Sequence, residues 1–151
     1  MKISTLCYME REGKYLMLYR NKKENDVNRG KWIGVGGKLE KEEAPEEGLV
    51  REVFEETGCR LISYKFRGII TFVYDDKEPE YIFTYTSESF EGEPGSCDEG
   101  ELRWVRKEDV LGLNLWEGDI PMLKRLMRGD DVFSIKLCYN NDILTEIKEF
   151  Y

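Results

Sequence analysis

The stretch Gly36-Gly37-Lys38-Leu39-Glu40-Lys41-Glu42-Glu43-Ala44-Pro45-Glu46-Glu47-Gly48-Leu49-Val50-Arg51-Glu52-Val53-Phe54-Glu55-Glu56-Thr57-Gly58-Cys59 decides how this chain folds. Its second half reads as a helix. Pro45 suits a first helical position, where its fixed φ is already helical and its missing N–H is not needed. Glu46 to Thr57 continue at helical spacing, and Gly58 is a natural stop because glycine readily takes the left-handed cap conformation. Leu49, Val50, Val53 and Phe54 mark the side expected to be buried. Glu47 stands four before Arg51 and Glu56 four before Arg60, spacings that favour ion pairs on an exposed face. Glu46 is expected to be a solvated first-turn residue.

Glu52, Glu55 and Glu56 do not fit a solvated face. They are related by i, i+3 and i, i+4 and so share about one turn of one face. Like charges at that spacing destabilise a helix by about 0.2–0.5 kcal/mol per pair, and Arg51 compensates only part of it. Such a cluster invites an external cation. Oxygen-only ligands select a hard ion, Mg²⁺ or Mn²⁺, and Mg²⁺ commonly shares itself with substrate phosphates. Gly36-Gly37 just before it permits close backbone approach, and the Gly36 carbonyl could join the metal shell. Metal-assisted attack of water on a phosphate is the chemistry this pattern suggests.

Outward from this stretch the chain alternates strands and loops. Ile3–Met9 and Tyr15–Arg20 read as strands flanking a turn at Arg11–Lys14, and Asn21–Lys31 as a polar loop. Ile69–Tyr74, Tyr81–Thr86 and Glu101–Arg106 are further strands, and Ile120–Arg128 is a second helix closed by Gly129. Phe133–Tyr139 and Ile143–Phe150 flank a turn at Asn140-Asn141-Asp142, a pattern open to a closing hairpin or to an amphipathic final element. Strands mixed with two helices imply a layered α/β or α+β architecture, and 151 residues imply one domain.

Composition narrows the chemistry. The chain has no histidine, which excludes Ser-His-Asp and Cys-His catalysis and a His-ligated metal. Its net charge of −8 argues against a general nucleic-acid binder. Cys7, Cys59, Cys97 and Cys138 form no CxxC pair and read as reduced, apolar-packed thiols of a cytoplasmic protein. No apolar run is long enough to span a bilayer.

Gly37, Glu43 and Arg51-Glu52-Val53-Phe54-Glu55-Glu56-Thr57-Gly58-Cys59, at these spacings, resemble the Nudix box, with Cys59 replacing its final aliphatic residue. Trp32 before Gly36-Gly37-Lys38, Asp98-Glu99 before Trp104, and Trp116 followed by Asp119 resemble the MutT-like branch, whose members hydrolyse oxidised purine nucleoside triphosphates.

The resemblance implies an α/β/α sandwich with a mixed sheet over residues 1–151. It implies Mg²⁺ or Mn²⁺ held by Glu52, Glu55, Glu56, the Gly36 carbonyl and Glu99. Glu52 or Glu56 would be the base, and Glu43 and Arg51 an orienting ion pair. Gly37, Lys38 and Arg20 would lie near the phosphates. Trp116 would stack on the base and Asp119 read its edge. Ile33 and Gly118 replace an Asn and an Asp of the mammalian-type enzymes, so Ile33 becomes an apolar wall and Thr5 a candidate for a compensating contact. The expected partner is a small nucleotide, with no nucleic acid and no membrane; the oligomeric state is not readable. Competing expectations are another nucleotide substrate, such as an ordinary (d)NTP or ADP-ribose, and an inactive nucleotide-sensing domain.

Overall fold

A computed structural model describes residues 1–151. In chain order the elements are β1 (Lys2–Arg11), β2 (Lys14–Arg20), β3 (Trp32–Ile33), β4 (Val35–Lys38), α1 (Pro45–Thr57), β5 (Arg60–Tyr74), β6 (Glu80–Glu91), β7 (Gly100–Arg106), α2 (Lys107–Val110), α3 (Asp119–Arg128), β8 (Phe133–Asn140) and β9 (Ile143–Glu149). The nine strands form one mixed sheet in the order β3-β2-β1-β6-β5-β8-β9, with β4 on β1 and β7 on β2. β1 runs parallel to β6 and antiparallel to β2 and β4.

Strand alternation sends side chains to two faces. Cys7 and Met9 of β1, Leu16 and Leu18 of β2 and Val35 of β4 meet Leu49 and Val53 of α1 on one face. Tyr8, Met17, Ile70, Ile135 and Leu137 meet Val110 of α2 and Met122, Leu123 and Leu126 of α3 on the other. Each fully buried aliphatic side chain is worth about 1.5–3 kcal/mol relative to exposure. The layers make the expected α/β/α sandwich.

α1 is closed at both ends. The Glu47 carboxylate accepts the Ala44 N–H at 2.8 Å. Gly58, at φ 80°, donates its N–H to Phe54 O at 2.8 Å. The buried stripe runs Leu49, Val53, Glu56, Thr57 rather than through Phe54, which is half exposed with the Arg60 guanidinium 5.8 Å from its ring centroid. The expected burial of Phe54 is overturned because one step past Val53 turns a side chain about 100° away from the sheet, and the expected Glu56–Arg60 surface pair is overturned because Glu56, three past Val53, lies in the buried stripe.

Two strands extend beyond the apolar runs that announce them. β5 begins at Arg60 and β6 reaches Glu91, a ribbon whose side chains are mostly exposed. α2 was not anticipated, and α3 begins one residue early, at Asp119. Asn141 and Asp142, at φ 51° and 66°, turn the β8–β9 hairpin in the doubly left-handed manner that suits strand twist. Arg67 of β5 is buried without a carboxylate partner. It donates to Thr86 Oγ1, to Leu126 O at 3.2 Å and to Gly129 O, satisfying the carbonyl end of α3. Cys7, Cys59 and Cys97 are buried free thiols. No helix is long and apolar enough to cross a membrane.

Candidate active site

The β4–β1 pairing sets the centre of the site. Gly36 lies opposite Leu6 and Gly37 opposite Thr5. A Cβ on Gly36 would overlap the Thr5 carbonyl oxygen, so only glycine lets the strands pair there. A Cβ on Gly37 would fall 2.5 Å from the Glu52 carboxyl carbon. The Gly36 N–H donates to Glu56 Oε2 at 3.1 Å, bringing the start of the box against the last turn of α1. Burial, with the charges of Glu99 and Glu52, holds the Glu56 carboxyl well above the ordinary carboxylate range. Burial raises Glu52 as well, against the pull of Arg51.

Arg51 organises the remaining acids. It grips Glu43 bidentately, Nε to Oε2 at 2.7 Å and Nη2 to Oε1 at 2.9 Å. It also donates to Lys38 O at 3.0 Å, Glu52 Oε1 at 2.9 Å and Glu55 Oε2 at 3.3 Å. The Arg51 hydrogen bonds hold Glu43 down to about 2, helped by the Glu40 N–H. The expected Glu47–Arg51 pair does not form, since Glu47 caps the helix instead. Glu46 is not simply solvated either: it accepts the Tyr85 hydroxyl.

Glu99 approaches from the loop before β7. Arg20 bridges it, with Nη1 3.1 Å from Glu99 Oε2 and Nε 2.7 Å from Asp26 Oδ2. Lys23 lies 3.3 Å from Glu99 Oε1. Arg20 is thus held at the acid cluster by two carboxylates, and Asp26, unremarked in the sequence, fixes it there. The Lys38 side chain is exposed and its carbonyl is the part the fold uses.

These acids fit a hard divalent cation. The donors are all oxygens, Glu56 has no cation paired to it, and Glu52, Glu56 and Glu99 feel one another's charge. No three acidic side chains already converge as a cage. Glu52 and Glu55 are turned to Arg51, so an ion would compete with that guanidinium for them.

The second candidate region lies on the opposite face. Trp116 is buried rather than open. Its Nε1–H donates to Asn28 Oδ1 at 2.7 Å, and Tyr139 stands edge-on at 4.9 Å between ring centroids. Lys31 Nζ lies 5.1 Å from the Trp116 ring centroid. Asp119, at the first turn of α3, is half-buried and pushed up to about 7 by burial, with Lys31 opposing. A Cβ on Gly118 would lie 2.6 Å from the end of the Leu137 side chain and 2.8 Å from the Tyr139 hydroxyl, so an acid at that position would require both side chains to move. Ile33 is half-buried and apolar-packed. Thr5 is buried, but it alternates with Leu6 and Tyr8 and so shares the α1 face with Cys7 and Met9. It therefore cannot meet a base beside Trp116. Its Oγ1 has no partner, and neither does the buried Tyr8 hydroxyl. Tyr8 points to the Trp116 face and was missed, as an aromatic in an apolar run carries no signal of an orphan hydroxyl. Asn28 and Lys31 were missed as loop residues.

The glycines of β4, the acidic face of α1 and the sandwich that joins them are the features of a known class of hydrolase. The NUDIX domain matches residues 2–126, and the chain belongs to this family. The Nudix hydrolase YvcI of Bacillus subtilis (strain 168) is 32% identical over 130 residues, covering 83% of this chain and 78% of that protein. The oxidized purine nucleoside triphosphate hydrolase of Danio rerio is 25% identical over 148 residues, covering 97% and 93%. The crystal structure of a MutT protein from Bacillus halodurans superimposes with a TM-score of 0.89 at 28% identity, over 99% of this chain and 98% of that one.

Proposed function

We propose that residues 1–151 form one domain that hydrolyses purine nucleoside triphosphates in a divalent-metal-dependent reaction, with 8-oxo-dGTP as substrate and 8-oxo-dGMP and pyrophosphate as products. The observation that carries this is the buried Glu56 carboxylate, bonded to the Gly36 N–H beside Glu52 and in the field of Glu99. The likeness to the Danio rerio and Bacillus halodurans proteins supports it.

Glu52, Glu55, Glu56, Glu99 and the Gly36 carbonyl would hold Mg²⁺ or Mn²⁺. The ion, when bound, would supply positive charge to the phosphate oxygens and make water more acidic. Glu52 or Glu56 takes the proton from the attacking water. With no histidine in the chain, a carboxylate is the group near the phosphates suited to that proton. Arg51 holds Glu52 and Glu55 in orientation through its grip on Glu43. Arg20 and Lys38 meet the phosphates, Arg20 from its place beside Glu99. Asp119 reads the purine edge, Ile33 closes the pocket as an apolar wall, and Trp116 stacks on the base once Lys31 moves from its ring.

The test is pyrophosphate and phosphate release from 8-oxo-dGTP, dGTP, dATP and ADP-ribose with Mg²⁺. The highest kcat/KM should fall on 8-oxo-dGTP. A second reading, an ordinary nucleotide or ADP-ribose as substrate, is favoured by the apolar Ile33 and the crowded Gly118, which leave few polar groups to read an oxidised base. Turnover led by another compound in the panel would establish it, and no turnover at all would leave a nucleotide-sensing domain.

A further inference from the structure

β9 is the last strand of the sheet, and its outer edge pairs with nothing. Unpaired edges recruit other strands unless they are short, bulged or charged. This one spans Ile143–Glu149, is bulged at Thr145 and regular from Glu146 onward, and exposes Ile143 at 65%, Ile147 at 42% and, just beyond, Phe150 at 56%. Its two central charges have no ion-pair partner in the chain. Lys148 Nζ lies only over the Phe150 ring, 5.2 Å from its centroid, and Glu146 receives only the Cys138 thiol at 3.7 Å.

We propose that this edge binds a second copy of the same chain, antiparallel, in one register centred on Ile147. A two-fold axis perpendicular to the sheet must bring like faces together, so the centre falls on a residue and not between two. The Phe150 N–H donates to Ser134 O of β8, at 2.9 Å. By alternation Lys148 and Glu146 bond inward, and the N–H and C=O of Ile147 and Glu149 face the free edge. Centres on Glu146 or Lys148, at non-hydrogen-bonded pairs, would set like charges opposite each other at the closest approach of the two strands. A centre on Ile147 offers free backbone on both strands. It stacks Ile147 on Ile147 and sets Glu146 opposite Lys148 of the second copy twice. Glu146 and Lys148 share one face, so both pairs form on the same side of the joined sheet. The charges that would repel an arbitrary strand thus become attractive for this one. Glu149 stays with Arg125, 3.1 Å away, and takes no part.

One strand pair buries less than the roughly 1,200–2,000 Å² of a stable interface, so the dimer is weak and concentration-dependent. Sedimentation equilibrium from about 10 μM to about 1 mM spans the affinities expected of so small a contact. The wild type should dimerise across this range. Glu146→Lys and Lys148→Glu each set like charges opposite twice and should raise the Kd about tenfold, since cross-strand charge pairs contribute roughly 0.2–1 kcal/mol each. The double variant restores complementarity and should recover dimerisation. Mixing the two single variants should yield a heterodimer. A monomer at every concentration overturns the proposal. So does a dimer whose Kd ignores the single changes, or one that the double variant fails to restore.

Discussion

The Cα of Gly37 stands so close to Glu52 that a side-chain carbon there would fall 2.5 Å from the carboxyl carbon. What would collide is the end of a mobile side chain, which can swing away. Gly37→Ala should therefore leave thermal stability nearly unchanged while displacing Glu52 and removing most hydrolysis. Gly36→Ala meets the Thr5 carbonyl, which is backbone inside a strand pair, and should lower Tm as well. Melting curves and kcat/KM of the two variants separate these outcomes; equal loss of Tm in both contradicts the argument.

Glu52→Gln and Glu56→Gln keep shape but remove charge and proton-accepting capacity. Each should lower kcat by roughly 10²–10⁴-fold, the range of a positioned acid–base group. Glu47→Gln is the matched control, because Gln also serves as the third-residue cap acceptor. Glu46 is unsuitable as a control, since it accepts the Tyr85 hydroxyl. Excess EDTA should abolish turnover of the wild type, and full activity in chelator excludes the metal role.

Asp119 gives a signed pH dependence. Its folded-state pKa, about 7, lies above the ordinary 3.8, so the folded state holds the proton more tightly. Stability contributed this way is present below about pH 4 and is lost as pH rises to about 7. Asp119→Asn carries no such dependence. The variant should gain on the wild type through that window, by at most about 4 kcal/mol, and by a constant amount above it. Urea melts at pH 4.5, 6 and 8 measure the gap. A gap that does not widen with pH places Asp119 in water.

Trp116→Ala should cost about 3–5 kcal/mol of stability because the ring is core as well as candidate platform. It is a poor probe of base binding. Ile33→Asn is cleaner: it restores an amide at the pocket wall and should raise the kcat/KM ratio of 8-oxo-dGTP to dGTP. An unchanged ratio removes Ile33 from the base pocket.

The elements legible in the sequence were those whose signals are local. Pro45 and Gly58 bracket α1, the Asn141-Asp142 turn forms the hairpin, and the spacing of Glu52, Glu55 and Glu56 marks the acidic face. What escaped depends on partners distant in sequence. The first half of β5 is polar and becomes a strand because β6 supplies its hydrogen bonds. Glu56 was marked as one of the clustered acids, but not its burial in place of a pair with Arg60, which follows from its lying in the stripe facing the sheet, where the Gly36 N–H of another strand meets it. Thr5 was placed near the base although alternation puts it on the α1 face. Asp26 and Asn28 gain their roles only when the loop folds back on Arg20 and Trp116.

Three of the four thiols in this chain are sealed in the layer between α1 and the sheet, while Cys138 is partly open on β8. Burial also raises the Cys7 thiol far above its usual range, leaving almost no thiolate. Alkylation kinetics therefore give a site-resolved clock without any engineered label. Cys138 should modify first, and Cys7 and Cys59 only when α1 lifts from the sheet. The delay between them would time the opening of the helix that carries Glu52, Glu55 and Glu56.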